Sequence, residues 1–189
     1  MSFAEPRSVE ARWCPVEGVG LEHLAVSTGV GEIVARGVVI GGRGRTSYGV
    51  DYTLVCDGGW HVRELHLGTA AGMALSLLSD GAGRWTNHDG KPLPDLDGCL
   101  DVDLAGTPFT NTLPVRRVDW AVQGGAPLEL TMLYVPFDSF VPARDGKIYT
   151  ALGGRRFRLQ AADGSFEAEL TVDDDGLVTE YPGLFTRLP

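Results

Sequence analysis

The sequence predicts an all-β protein, built on a many-stranded antiparallel sheet that rolls into a spiral or a half-closed barrel. Apolar and polar residues alternate over several short segments, as expected for strands with one buried face. Asp-Gly pairs, which favour tight turns because glycine accepts positive φ, stand between these segments. The 26 glycines and 11 prolines interrupt the chain too often for long helices. Because many-stranded sheets rarely stay flat, this sheet is expected to curl or close.

The first predicted strands lie in the N-terminal half. Residues 33–40 are a β-branched run that leads into a glycine-rich hairpin loop at residues 41–44. Alternation of apolar and polar side chains then predicts a strand over residues 48–56. Two further apolar runs, residues 62–67 and 73–78, are bounded by glycine-containing breaks and predict two more strands.

The same pattern continues to the C-terminus. Alternation predicts strands over residues 100–104, 118–122, 128–135, 157–159 and 166–172. An Asp-Gly turn at residues 163–164 separates the last two of them, and a second at residues 175–176 follows the last. A short helical turn remains open near residues 107–113 or near residues 182–185. The whole chain, residues 1–189, is predicted to form a single β-roll domain.

Composition and charge restrict the function. The net charge of −9 disfavours nucleic-acid binding and docking on anionic lipid, because both partners are negatively charged. Three widely spaced cysteines predict free thiols rather than a disulfide framework or a zinc site, as in a cytoplasmic protein. The N-terminal residues lack the pattern of a signal peptide, and no apolar run approaches the roughly 20 residues that span a bilayer. A cytoplasmic protein without cofactor or metal is expected.

A dense polar segment at residues 95–120 is the first candidate site. Asp101 and Asp103 stand two apart on a predicted strand, so both carboxylates face one side. They could accept hydrogen bonds from sugar hydroxyls, contribute to a cation site, or pair with Arg116 and Arg117 inside the fold. Internal pairing is favoured of these three, since buried charges normally need partners.

The remaining candidates supply flat apolar faces and bidentate hydrogen-bond donors. An arginine on an apolar face suits a carboxylate or phosphate headgroup, but a buried ion pair explains it equally well. Tryptophans suit sugar rings and acyl chains, although most tryptophans of β-domains belong to the core. The predicted ligand-binding residues are Trp60, Arg63, Trp85, Asp101, Asp103, Asn111, Arg116, Arg117 and Trp120.

Catalytic and phosphate-binding motifs find little support. His23 follows Glu22 and suggests a base with an orienting partner, but adjacent strand residues face opposite sides, which favours a structural or surface histidine. The glycines of residues 41–44 lack the following Lys-Ser/Thr of a phosphate loop. No serine or cysteine occupies a recognised nucleophile signature, and no catalytic residue is assigned.

Several motifs, taken in order, resemble the bacterial putative glycolipid-binding family, formerly a domain of unknown function. They include Gly-Leu-Glu-His at residues 20–23, Leu-Asp-Gly-Cys at 96–99, Thr-Pro-Phe-Thr-Asn-Thr-Leu-Pro at 107–114, Tyr-Val-Pro at 134–136 and Tyr-Pro-Gly-Leu-Phe at 181–185. The resemblance covers nearly the whole chain. It implies a spirally rolled antiparallel sheet, similar in shape to the lipoprotein carriers of the bacterial envelope, whose half-closed barrels hold acyl chains.

Three functions follow as hypotheses. The favoured one is a binding module, in which an apolar cavity with a polar mouth, supplied by residues 95–117, holds a lipid or glycolipid. An alternative is a hydrolase or isomerase that acts on a lipid or sugar conjugate through paired carboxylates and an arginine. A third is a non-catalytic scaffold, with its charges satisfied internally. An exposed sheet edge could also pair with a second copy, so a homodimer is possible.

Overall fold

The computed structural model describes residues 3–44 and 46–189, and it confirms the predicted all-β class. Met1, Ser2 and Arg45 lie outside the described residues, although the predicted single domain spans them. The strands are β1 (Val9–Pro15), β2 (Leu21–Gly29), β3 (Glu32–Arg43), β4 (Thr46–Asp57), β5 (Val62–Thr69), β6 (Ala74–Ser79), β7 (Trp85–Asn87), β8 (Asp101–Leu104), β9 (Leu128–Val135), β10 (Ala143–Gly153), β11 (Arg156–Ala161), β12 (Glu167–Val172), β13 (Val178–Tyr181) and β14 (Phe185–Leu188).

These strands form one sheet with the order β7-β6-β5-β4-β3-β2-β1-β14-β13-β12-β11-β10-β9-β8. The two halves of the chain are consecutive meanders, and the pair β1–β14 joins them in the middle of the sheet. Strands β7 and β8 are the two edges, so the sheet is rolled but not closed. Trp85 on β7 donates from its indole N–H to the Cys99 carbonyl (2.9 Å), which brings one edge against the segment that leads into the other.

One strand pair departs from the antiparallel pattern. Strand β8 runs parallel to β9, and a parallel pair needs a crossover connection that is usually helical. Residues 105–127 supply it with a 3-10 turn, Phe109–Asn111, and two short helices, α1 (Thr112–Arg117) and α2 (Trp120–Gln123). The helical turn left open at residues 107–113 is therefore present.

The prediction of a strand over residues 118–122 is wrong, because helix α2 begins at Trp120. Asp119 caps α2, because its carboxylate accepts hydrogen bonds from the backbone N–H groups of Ala121 and Val122. The apolar residues of this segment alternate only over a few positions, and Trp120 is buried while Val122 is 80% exposed. The crossover that the parallel pair requires determines the local structure here, and the short alternation does not.

Strands β8 and β9 are buried on both faces, as expected for the inner layer of a rolled sheet. Leu104 and Val135 belong to a core cluster that the strands of the first meander build around Trp13, Leu24 and Leu54. The opposite face contributes to a second cluster with α1, α2 and strands β10–β13, whose buried side chains include Met132, Trp120, Phe157 and Leu170. Between the two meanders the roll leaves an open space at one end.

Candidate functional site

A cavity of about 710 Å³ lies between the two meanders. Its aromatic and aliphatic walls come from both halves of the sheet and include Trp13, Val39, Tyr149, Leu159, Phe166 and Tyr181. Its polar wall is formed by Glu22, Asp103, Thr107, Asn111 and Lys147. The cavity therefore combines an aromatic surface with a small number of convergent polar groups, as ligand sites commonly do.

Glu22 on β2 is the most buried charged group of the cavity wall, with 2% of its surface exposed. Its Oε1 atom accepts hydrogen bonds from the Tyr52 hydroxyl (2.6 Å) and the Thr107 hydroxyl (2.7 Å). Its Oε2 atom is buried and receives no hydrogen bond from the described residues. Burial raises the pKa of Glu22 to about 7, although the hydrogen bonds from Thr107 and Tyr52 act in the opposite direction.

The position of Tyr52 depends on a glycine in the neighbouring strand. Tyr52 on β4 pairs in register with Gly37 on β3, and its ring stacks on Phe109 at a centroid distance of 6.2 Å. A Cβ atom at position 37 would overlap the Tyr52 ring and lie 2.6 Å from the hydroxyl oxygen. Gly37 therefore lets the Tyr52 hydroxyl reach Glu22.

A second polar group lies on β8 and β10. The ammonium of Lys147 is 3.5 Å from the Asp103 carboxylate and 2.8 Å from the Asp145 carboxylate. Burial raises the pKa of Asp103, whereas the positive charge of Lys147 acts to lower this pKa. Burial also acts against the charge of Lys147, but Asp103 and Asp145 together hold its pKa above the usual value. Nearby, the Tyr149 hydroxyl donates to Asn111 Oδ1 (2.8 Å), which fixes both side chains in the cavity wall.

Two of the nine predicted site residues, Asp103 and Asn111, lie at this cavity. The carboxylates of Asp101 and Asp103 have different partners. Asp101 is fully buried and accepts two hydrogen bonds from Arg117 (2.9 and 2.5 Å), whereas Asp103 lies beside Lys147. Arg116 donates to the backbone carbonyls of Asp175 (3.1 Å) and Ala4 (2.8 Å), away from the carboxylates with which the sequence paired it.

The other predicted site residues also lie away from the cavity. The Arg116 guanidinium lies 5.1 Å from the centre of the Trp60 ring, and both residues line a separate small crevice. Trp120 is buried under α1, where it donates to the Val115 carbonyl (3.0 Å). Trp85 is 1% exposed and belongs to the first core cluster. Arg63 donates to the Asp80 carbonyl (2.6 Å) at the surface.

The sequence hypotheses did not include the roles of Glu22, Tyr52, Thr107, Lys147 and Tyr149. The sequence does contain a signal for Glu22, since Glu22 shares the buried face of β2 with Leu24 and Val26. A charged residue on an apolar strand face is uncommon and indicates a partner or a site. His23, by contrast, faces outward, where its Nδ1 accepts from Arg12 Nε at 3.4 Å.

Replacing Glu22 with glutamine is expected to flatten the dependence of stability on pH. Because the pKa of Glu22 is raised to about 7, the folded protein keeps this proton at pH values at which the unfolded chain has released it. The free energy of unfolding therefore falls as the pH rises from the pKa of Glu22 in the unfolded chain through pH 7. Urea denaturation at pH 5 and pH 8 should show the wild type losing about 2–3 kcal/mol more than Glu22→Gln. Equal losses in the two proteins would contradict this assignment.

Residues 3–44 and 46–189 contain neither a candidate metal-binding cluster nor a helix that could span a membrane. No cluster of three or more His, Cys, Asp or Glu side chains that could hold a metal ion occurs there. Within the same ranges, none of the helices combines the length and the apolar character needed to cross a bilayer.

Comparisons with known proteins give one family and one solved structure. Residues 10–187 match the sequence model of a family described as "Putative glycolipid-binding". The chain is also similar to a DUF1089 family protein from Pseudomonas aeruginosa, whose crystal structure was determined at 1.80 Å resolution. The two share 35% sequence identity and superpose with a TM-score of 0.77 over 100% of this chain and 98% of the other. No curated protein matches.

Proposed function

The chain belongs to this glycolipid-binding family, and from that membership we propose that it binds a lipid-linked sugar in the cavity between its two meanders. The observation that carries the proposal is the combination of aromatic walls with buried hydrogen-bonding groups in a space of about 710 Å³. Sites for small organic ligands commonly measure about 300–1,000 Å³ and show this combination. Tyrosine and tryptophan rings suit both the faces of sugar rings and acyl chains.

The distribution of polar groups suggests how such a ligand lies. Glu22, Thr107 and Asn111 are between 2% and 7% exposed, so this part of the polar wall is buried, whereas the side chains of Asp103 and Lys147 are 25% and 18% exposed. Val19 and Ile40, which also line the cavity, are 91% and 61% exposed and lie at its rim. We therefore place the sugar at the buried part of the polar wall and direct the acyl chain toward the rim. In this proposal the sugar-binding groups stand inside the cavity, whereas the sequence hypothesis placed the polar groups at its mouth.

The proposed binding of a lipid-linked sugar can be tested on the protein purified from its own host. Native mass spectrometry followed by organic extraction should detect a fatty-acyl or glycosyl compound in stoichiometric amount. Isothermal titration with octyl glucoside then gives a dissociation constant for a defined probe. Lack of a co-purifying compound, together with lack of octyl glycoside binding, would contradict the proposal.

Filling the cavity from one strand is expected to weaken binding while the fold is retained. Val39 on β3 is buried and lines the cavity, so phenylalanine at this position would occupy ligand space. We expect octyl glucoside binding to weaken by more than about 10-fold, which corresponds to about 1.4 kcal/mol. The matched control is Val38→Phe, because Val38 is the next residue of the same strand and is 53% exposed. Equal effects of the two variants would place the ligand elsewhere.

A further inference from the structure

We infer that the ligand of this cavity carries a protonated amine that lies against the Glu22 carboxylate, so that its headgroup is an amine-bearing sugar and not a phosphate or a neutral polyol. The inference rests on the proposed function, since it names the ligand class of the same cavity. It starts from a buried acidic side chain for which the described residues supply hydroxyl donors but no cation.

The residues that pair in register with Glu22 or donate hydrogen bonds to it are neutral, and Arg187, which lies over the neighbouring Trp13 ring, is engaged with Asp173 (3.1 Å). On the inner face of the sheet its in-register neighbours are Trp13 on β1 and Val39 on β3. Tyr52 and Thr107, its two hydrogen-bond donors, are uncharged. Buried carboxylates in proteins are normally paired with a cation, because desolvation of an isolated charge is unfavourable. A ligand ammonium would supply the partner that the described residues do not.

The other titratable groups of the cavity wall do not change this balance. Lys147 is the cation among the described lining residues, and it is already engaged with Asp103 and Asp145. Glu17 adds a carboxylate at the exposed rim. Burial raises the pKa of Tyr149 and of Tyr181, so these two tyrosines of the wall stay neutral near pH 7. An anionic phosphate headgroup would therefore meet more carboxylates than ammonium groups, whereas an amine meets the opposite sign.

The aromatic wall favours the same ligand charge. Trp13, Tyr149, Phe166, Tyr181 and Phe185 line the cavity, and the faces of such rings attract cations. The protein already uses one of these rings in this way, because the Arg187 guanidinium lies 5.2 Å from the centre of the Trp13 ring. Arg187 therefore already occupies one face of Trp13, and an ammonium group in the cavity would meet the remaining rings, Tyr149, Phe166, Tyr181 and Phe185, as well as carboxylates.

Protonation of Glu22 gives the inference a distinct signature. An ammonium binds the ionised carboxylate, so its apparent affinity should fall when acid neutralises Glu22. With the pKa of Glu22 at about 7 in the free protein, the ionised fraction at pH 5.5 is low. Apparent binding should then be roughly 30-fold weaker at pH 5.5 than at pH 8, if the amine itself stays protonated at both values.

The test compares two probes that differ in one group, octyl 6-amino-6-deoxyglucoside and octyl glucoside. By isothermal titration at pH 8, the amine should bind at least about 10-fold tighter, and this advantage should disappear in Glu22→Gln and at pH 5.5. Titrations in buffers of different ionisation enthalpy should show proton release at pH 7 with the amine. A circular dichroism spectrum like that of the wild type is the required control for folding of Glu22→Gln, and the pH series on the wild type tests the inference without any substitution.

The possible outcomes separate the inference from the proposed function. Equal binding of the two probes, or tighter binding of octyl glucoside, overturns the inference and leaves the proposed function in place. Tighter binding of octyl phosphate than of either glycoside also overturns it. If none of the three probes binds, the proposed function fails as well. An amine advantage that persists in Glu22→Gln would assign the ammonium to Asp103 and overturn the role of Glu22.

Discussion

Replacing Asp101 with alanine is expected to destabilise the protein by about 3–5 kcal/mol, because it leaves a buried guanidinium without its carboxylate. Asp101 is fully buried, and only 11% of the Arg117 side chain is exposed. Their two hydrogen bonds connect β8 to α1, and thereby hold the crossover against the inner edge of the sheet. In a chain of this length the midpoint of thermal unfolding should fall by on the order of 10 °C.

Two further variants separate the buried charge from lost packing. The double variant Asp101→Ala, Arg117→Met removes both charges and should be less destabilised than Asp101→Ala alone, as measured by urea denaturation. Glu169→Ala breaks an ion pair with Arg158 whose side chains are 46% and 40% exposed. That change should lower the free energy of unfolding by less than about 1 kcal/mol. Similar losses for Glu169→Ala and Asp101→Ala would refute the importance of burial.

Replacing Gly37 with alanine is expected to destabilise the fold by about 2–3 kcal/mol and to disturb the ligand site together. The added Cβ atom would overlap the Tyr52 ring, which is 1% exposed and stacked on Phe109. Displacement of the ring removes the hydrogen bond from Tyr52 to Glu22, and with it one of the two donors that stabilise the ionised carboxylate. Binding of octyl glucoside should weaken in parallel with stability.

Gly49 on β4 offers a matched control, because a Cβ atom there would meet nothing within 4 Å. Gly49→Ala should leave stability within about 0.5 kcal/mol of the wild type, or raise it slightly. A double-mutant cycle provides the decisive measurement. If the steric overlap causes the effect, Gly37→Ala should be nearly neutral in a Tyr52→Ala background. A loss of the same size in that background would mean that backbone conformation at position 37 is responsible.

Much of the fold could be predicted from the sequence because alternation of side chains reports which face of a strand is buried. It located β4 and β9 closely, since their apolar positions are regular. It did not identify β10, in which Asp145 and Gly146 interrupt the apolar pattern, or the C-terminal strands β13 and β14, which have four residues each. Residues 41–43, predicted as a loop, continue β3, because glycines can occupy a strand when the neighbouring chain packs closely.

The candidate site was harder to predict for a topological reason. Glu22 and Thr107 are 85 positions apart and meet because the roll places the loop after β8 against β2. The sequence made residues 95–120 conspicuous by their density of charge, but three of the seven charged residues stabilise the crossover: Asp101 pairs with Arg117, and Asp119 caps α2. Local density indicates where polar residues are, and long-range pairing decides which of them face a cavity.

The pairing of β1 with β14 has a consequence for biosynthesis. The strand that starts the first meander finds its second neighbour only at residues 185–188, so the two halves cannot be joined until these residues have left the ribosome. Until then one side of β1 remains an unprotected edge, to which a neighbouring nascent chain could add. We expect slow completion of folding, because contacts of such sequence separation form late.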